Sequence, residues 1–577
     1  MKNEESQQQI MDKFLHANVA KLTAGLSPSA LLEAYSDWAV HLASSPGKRL
    51  QLIEKAARKA ARLGTFASTC AHKQSSAQAC IEPMPFDKRF SGDAWQKWPY
   101  NVIYQSFLFN QQWWSNATTG VNGVTQQHEN VMEFVTRQIL DVFSPSNYLL
   151  TNPELIEQTQ KEAGQNLIRG ANNFVEDMQS VIANKPPSEV EGFRVGKELA
   201  ITPGKVVYRN RLIELIQYSP TTKEVRPEPI LIVPAWIMKY YILDLSPNNS
   251  LVKYLTEQGF TVFMVSWKNP DIDDRDMGMP DYRKLGVMAA LDAIGIICGD
   301  TKVHGVGYCL GGTLLSIAAA TMARDADERF ASLSLFAAQV DFTQAGELML
   351  FINESQVSFL EDMMWEQGYL DAKQMAGAFQ LLRSNDLIWS RVVHDYLMGK
   401  RAEINDLMAW NLDTTRMPYK MHSQYLRKLF LNNDLSEGRY TVDDVPISVT
   451  DIRVPIFVVG TEKDHVAPWH SVYKFHRLCD TDVTFLLTSG GHNAGIVCEP
   501  GHPRRHYQVA TTLKEDNYTD PDTWAAHQPR KEGSWWSEFS QWLHERSGTM
   551  CKPPQMGAPK KQLPVLCDAP GTYVMQK

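Results

Sequence analysis

The segment His304–Ser316, HGVGYCLGGTLLS, sets Gly307 two residues before Cys309 and Gly311 two residues after it. Glycines so placed leave room for a sharp strand-to-helix turn that displays its central side chain. A thiol displayed there can attack a carbonyl and hold the acyl group as a thioester, which a second nucleophile can open. The thiol needs a base, and the base needs an orienting carboxylate. Two later stretches supply these in chain order: PIFVVGTEKDHVAPW ends an apolar run at Gly460 and presents Asp464, and VTFLLTSGGHNAGI ends the next run in two glycines and presents His492. Asp451, Asp480 and Asp482 have a poorer strand context, and His465, His470, His476, His502 and His506 lack such a position. Cys298, among apolar residues, reads as packing.

The turn demands a strand before it and a helix after it, here TKVHGVGY and GGTLLSIAAATMA, the arrangement of an α/β-hydrolase nucleophile elbow. Such a site also needs two backbone N–H donors for the oxyanion. Leu310, after the nucleophile, supplies one, and Trp236 or Ala235 in VPAWIMKYY supplies the other. Asp244 in KYYILDLSPNNS and His465 beside Asp464 are further candidates for substrate contact, although Asp244 equally suits a turn cap.

From Gly204 onward, short apolar runs alternate with helical patterns. EPILIVPAW, FTVFMVSW, TKVHGVGY, ASLSLFAA, VPIFVVGT and TDVTFLLTS predict a mostly parallel sheet covered on both faces, with chemistry at the carboxyl ends of its strands. The stretch 341–435 interrupts the alternation without a clear strand and reads as an inserted cap over the site. Residues 1–85 read as a variable helical segment and linker, 86–200 as a helical N-terminal domain, and 201–577 as the α/β-hydrolase-like catalytic domain carrying the cap. Trp535, Phe539 and Trp542 fall at helical spacing and predict a core-facing stripe, and Trp410 a core or interface aromatic.

The remaining composition narrows the function. A formal charge of −8 over 577 residues, with both signs interleaved, argues against a nucleic-acid surface. The start MKNEESQQQIMDKF lacks an apolar signal core, and no run approaches the roughly eighteen apolar residues of a membrane span, so a cytoplasmic protein is expected. Eight cysteines without CxxC pairs read as free thiols, and the histidine spacings do not match a familiar metal-ligand pair, so neither metal nor cofactor is expected.

The chain resembles the class I polyhydroxyalkanoate synthases across nearly all of its length after about residue 86. The resemblance is carried by DKRFSGDAW, SPSNYLLTNPE, VPAWIMKYYILDLSPNNSLV, VFMVSWKNPD, GYCLGG, SNDLIWSRVVHDYLMGK, AWNLDTTRMP, YLRKLFLNNDL, DHVAPW and GSWWSEFSQWL. It implies that Cys309 carries the acyl chain, that His492 is its base and that Asp464 completes the triad. It also implies a substrate, 3-hydroxyacyl-coenzyme A, most simply 3-hydroxybutyryl-coenzyme A, joined into polyester with release of coenzyme A. The expected setting is a homodimer at the surface of cytoplasmic polyester granules with their associated proteins. Two departures lie near the inferred pocket: GGHNAGIVCEPGHP where many relatives read GHIAGVINPP, and VPAW where they read VPP and a small residue. A cysteine-dependent esterase or thioesterase, or a granule-binding protein without catalysis, would share the same fold.

Overall fold

The computed structural model describes residues 6–23, 25–73, 79–84, 87–183, 185, 187–371, 374, 388–401 and 403–577. The chain divides into two compact units, one of Met1–Gly25, Val190–Ala376 and Ile404–Lys577, the other of Leu26–Glu189 and Gly377–Glu403. These divisions fall elsewhere than the expected boundaries at 85 and 200. Helix α1 (Gln7–Leu22) belongs to the first unit, where His16 Nδ1 lies 2.7 Å from Asp362 Oδ2 and Lys21 Nζ 2.8 Å from Glu366 Oε2. The stretch expected as one cap, 341–435, is shared between the units.

The second unit is helical: α2 (Pro28–Ala43), α3 (Pro46–Lys73), α4 (Tyr100–Thr118), α5 (Gln126–Val142), α6 (Pro153–Lys161) and α7 (Gln165–Ile182). Its helices begin where short oxygen-bearing side chains can take the free N–H groups of a first turn. Ser27, Thr125 and Asn152 cap α2, α5 and α6, and proline opens α2 and α6. Phe90, Trp95, Tyr104, Phe107 and Leu108, from the aromatic-rich stretch, pack together in its interior. Gly170 explains why 392–397 joins this unit: a Cβ there would lie 1.8 Å from the Tyr396 carbonyl oxygen, so only glycine admits that backbone. Asn166 Nδ2 adds a hydrogen bond to the Leu397 carbonyl at 2.8 Å.

The first unit is built on an eleven-stranded sheet. Its strands are β1 (Gly204–Arg209), β2 (Ile213–Tyr218), β3 (Ile230–Val233), β4 (Val262–Trp267), β5 (Val303–Tyr308), β6 (Phe330–Phe336), β7 (Ile456–Thr461), β8 (Val483–Thr488), β9 (His506–Thr512), β10 (Lys531–Glu532) and β11 (Cys567–Asp568), ordered β10-β9-β8-β7-β6-β5-β3-β4-β2-β1-β11. Every predicted strand is present, and the six from β4 to β8 in that order run parallel. Antiparallel strands close both edges. Successive side chains feed opposite faces: Ile230 and Ile232 join one apolar cluster, Leu231 and Val233 the other. That is why the central strands read as unbroken apolar runs rather than as alternation. Helix α8 (Leu310–Arg324) leaves β5 directly through Cys309, α9 (Glu354–Gln367) and α10 (Asp406–Leu412) lie in the inserted stretch, and α11 (Trp536–His544) follows the sheet's last long strand. No described helix is long and apolar enough to cross a membrane.

Candidate active site

Cys309 stands between β5 and α8 with φ 51° and ψ −124°, a conformation that costs a residue with a side chain about 1–3 kcal/mol. The surroundings hold it there. Its N–H donates to the Phe336 carbonyl at 2.8 Å and its carbonyl accepts from Gly312 N at 2.9 Å. The glycines serve close packing: a Cβ on Gly311 would lie 2.1 Å from the Val233 carbonyl oxygen, and one on Gly307 2.4 Å from Gly312 Cα. The thiol is partly exposed, whereas Leu310 and the rest of the first turn of α8 are buried.

Asp464 and His492 reach the same place from the ends of β7 and β8. Asp464 Oδ1 accepts the N–H groups of Val466 and Ala467, both at 2.8 Å, and Oδ2 accepts from Thr461 Oγ1 at 3.2 Å. His492 Nδ1 lies 2.7 Å from Asp464 Oδ2, and the Cys309 thiol is close enough to the imidazole for its charge to act on it. Burial alone would lower the His492 pKa, but the Asp464 charge and the thiol beside it raise it well above the ordinary histidine range. Burial pushes the Asp464 carboxyl up, yet His492 and the two backbone N–H groups bring it below the usual carboxylate value. The loop that carries His492 is pinned from α11 and the residue before it: the Trp535 and Trp536 indoles donate to the Gly495 and Ile496 carbonyls, each at 3.0 Å.

The oxyanion candidates lie beside the elbow. Gly311 abuts the carbonyls of Val233 and Pro234, so the loop after β3 runs along the start of α8. The Trp236 side chain is core, packed at 4.7 Å from the Tyr282 ring and 5.7 Å from Trp267, with Nε1 on Met421 Sδ at 3.2 Å. Its contribution to an oxyanion site is therefore limited to its backbone N–H. The Thr415 hydroxyl donates to the Trp236 carbonyl, and Lys239 Nζ donates to the Gln576 carbonyl at 2.6 Å, so the loop is held at both ends.

Asp244 is enclosed by protein side chains. It is buried, its carboxylate takes the hydroxyls of Thr202, Ser250 and Tyr218, and burial pushes its pKa up to about 6. A carboxylate so enclosed ties the loop after β3 to the chain before β1, a structural task that corrects the substrate-contact expectation. His465 is half-buried, its main chain against Gly346, where a Cβ would lie 2.4 Å from the His465 carbonyl oxygen. His470 and His506 pair with Asp522 and Glu462. Burial pushes the Cys298 thiol up to about 12, as suits a packing cysteine. Among the described residues, no group of three or more His, Cys, Asp or Glu side chains is arranged to hold a metal.

Comparison with known proteins assigns the chain to a family. Residues 86–255 match the family model of the poly-beta-hydroxybutyrate polymerase (PhaC) N-terminus, 6–48 that of the poly-beta-hydroxybutyrate polymerase N terminal, and 228–497 that of the alpha/beta hydrolase fold. The poly(3-hydroxyalkanoate) polymerase of Methylorubrum extorquens is 40% identical over 539 residues, 92% of this chain and 87% of the relative. This chain belongs to the poly(3-hydroxyalkanoate) polymerase family. Within that family, the poly(3-hydroxyalkanoate) polymerase subunits of Rhizobium etli and Cupriavidus necator are 36% and 34% identical, over 86% and 85% of this chain and 78% and 83% of their own. The polymerase fold is thus an α/β-hydrolase sheet with a helical N-terminal region, and the chain is an enzyme of the acyltransferase kind.

Three polymerase residues near the thiol escaped the sequence reading. Tyr308, buried just before Cys309, stacks its ring 5.6 Å from His492. Tyr425, from the inserted stretch, lies close enough to Cys309 that the thiol's charge, after burial, raises its phenol pKa. Asn411, at the end of α10, accepts from Asn493 Nδ2 at 3.1 Å. Nothing in local spacing marks Tyr425 or Asn411, which meet the site across long stretches of chain, and Tyr308 reads as the last residue of an apolar strand.

Proposed function

We propose that this chain polymerises (R)-3-hydroxyacyl-coenzyme A, 3-hydroxybutyryl-coenzyme A in the simplest case, through a thioester on Cys309. The observation that carries this reading is the convergence of three side chains at the strand ends: Asp464 Oδ2 holds His492 Nδ1 at 2.7 Å, and the imidazole stands close enough to the Cys309 thiol to feel its charge. His492 takes the thiol proton as sulfur attacks the acyl carbonyl; coenzyme A leaves as its thiol, and the acyl group stays on Cys309. The 3-hydroxyl of an incoming substrate then gives its proton to His492 and attacks that thioester, forming an ester and freeing the Cys309 thiol. Transfer of the lengthened chain back to Cys309 releases the second coenzyme A. General-base assistance of this kind is worth about 10²–10⁴-fold. The backbone N–H groups of Leu310 and Trp236 stabilise the oxyanion. Exchange of one thioester for another is nearly isoenergetic, so the chain remains activated, as it would not on serine. The setting we propose is a homodimer at the surface of cytoplasmic polyester granules.

The test is product analysis with purified protein and 3-hydroxybutyryl-coenzyme A. Coenzyme A release matched by insoluble polyester, and lost in Cys309→Ala, is the expected result. Release matched by free hydroxy acid would make the enzyme a thioesterase instead. Full polymer formation by Cys309→Ala would remove the thiol from the mechanism.

A further inference from the structure

The residue after the base and the residue before the nucleophile are joined. Tyr308 Oη donates to Asn493 Oδ1 at 2.6 Å. Tyr308 is bonded to Cys309 and His492 to Asn493, so the Tyr308–Asn493 hydrogen bond ties the turn that carries the nucleophile to the loop that carries the base, where the thiol stands close to the imidazole. The Tyr308 ring also lies beside the imidazole, tilted 37° against it with centroids 5.6 Å apart. The hydrogen bond therefore limits how far the loop bearing His492 can move from the turn bearing Cys309.

Asn493 has a second attachment. Asn493 Nδ2 donates to Asn411 Oδ1, four residues before Thr415, whose hydroxyl meets the Trp236 carbonyl. Asn493 thus connects the base loop, the nucleophile strand and the segment braced on the oxyanion loop. Its amide suits this work because it offers an acceptor and a donor on one short side chain, and an aliphatic residue at 493 would offer neither. It would also leave the hydroxyl of Tyr308, a residue only 2% exposed, without this acceptor.

We infer that Asn493 is a positioning residue, which acts through Tyr308 to hold the His492 imidazole on the Cys309 thiol. This rests on the assignment of Cys309 as the acyl carrier. Asn493 itself exchanges no proton with the substrate, and its effect appears in the rate at which Cys309 is acylated.

The test compares the full chain with Asn493→Ala, Tyr308→Phe and the double variant. Two rates are read: polymerisation of 3-hydroxybutyryl-coenzyme A, and alkylation of Cys309 by iodoacetamide, followed by mass spectrometry of the peptide. Loss of one buried hydrogen bond predicts that each single variant lowers kcat and the alkylation rate about tenfold, with KM within about twofold of the parent. The double variant falls no further than Asn493→Ala, because that variant already lacks the link Tyr308→Phe removes. A Tyr308→Phe chain with the parental kcat and alkylation rate overturns the inference. So do losses that multiply in the double variant, or that appear in KM alone. Melting temperatures separate this from general damage: a variant that loses rate in proportion to folded fraction also counts against it. A Cys309→Ala chain that still polymerises fails the underlying assignment, and is read independently of the two tie variants.

Discussion

His492 Nδ1 and Asp464 Oδ2 lie 2.7 Å apart, and the carboxylate is fully enclosed while the imidazole remains 11% exposed on its way to the thiol. The carboxylate is pinned by two backbone N–H groups, so it fixes the imidazole rather than following it. Its charge also raises the His492 pKa against the effect of burial.

Asp464→Asn removes that charge but keeps the shape. The expected loss in kcat is about 10⁴-fold, the size seen when a triad carboxylate becomes an amide elsewhere. The sign of the pH effect follows from the same contact. Without the carboxylate the imidazole holds its proton less tightly, so the acid limb of the residual kcat/KM profile moves to lower pH. A limb that stayed in place would mean that Asp464 does not set the protonation of His492.

The elbow glycines make a separate prediction. Gly311→Ala would bring a Cβ within 2.1 Å of the Val233 carbonyl oxygen and 2.6 Å of that of Pro234, rigid backbone that cannot give way. Overpacking of this kind costs at least about 1–3 kcal/mol and shifts the loop bearing the oxyanion donors. The variant should be both less stable and inactive by thiol-release assay. Gly64 is the contrast: it lies exposed within α3 with nothing within 4 Å of a Cβ, so Gly64→Ala should stabilise by up to about 1 kcal/mol, read as a raised Tm.

Cys309, Asp464 and His492 were legible because each sits where a fully buried parallel strand ends, and such strands announce themselves as apolar runs closed by glycine. The strand β9 and the edge strands β10 and β11 were not, since HYQVATT is only half apolar and the other two are two residues long. The division of 341–435 between the units was illegible for a different reason: it turns on a missing side chain at Gly170 and on Asn166, more than two hundred residues away from the backbone they receive. Asp244 shows the converse. Its carboxylate suggested chemistry, and only the three hydroxyls around it show that it is structural.

Trp535, which helical spacing with Phe539 and Trp542 assigns to the core, is buried, as is Trp536 beside it, and the two indole N–H groups add a second role. Each holds a carbonyl of the loop that carries His492. Trp535→Phe keeps the bulk and leaves the Gly495 carbonyl without its donor, at about 1–3 kcal/mol. Because that loop must hold still for catalysis, kcat should fall while KM is little changed, and hydrogen exchange at residues 491–497 should quicken. Unaltered exchange there would show that the indole contributes bulk alone.

At the opposite end of β5, His304 is fully buried, with Nδ1 at 2.7 Å from Ser332 Oγ and Nε2 at 3.0 Å from Ser547 Oγ. Burial, with the Arg546 charge adding to it, pushes its pKa down to about 4. The unfolded chain, with an ordinary histidine value of about 6.5, therefore binds this proton more readily than the folded one. His304 leaves stability intact above about pH 6.5, and as the pH falls toward 4 the unfolded state gains, by up to about 3 kcal/mol. The Tm of the parent should drop across that window, and His304→Gln, which carries no titrating group, should start lower and lose less. A parental Tm as flat between pH 6.5 and 4 as the variant's would mean that His304 does not stay neutral in the folded chain.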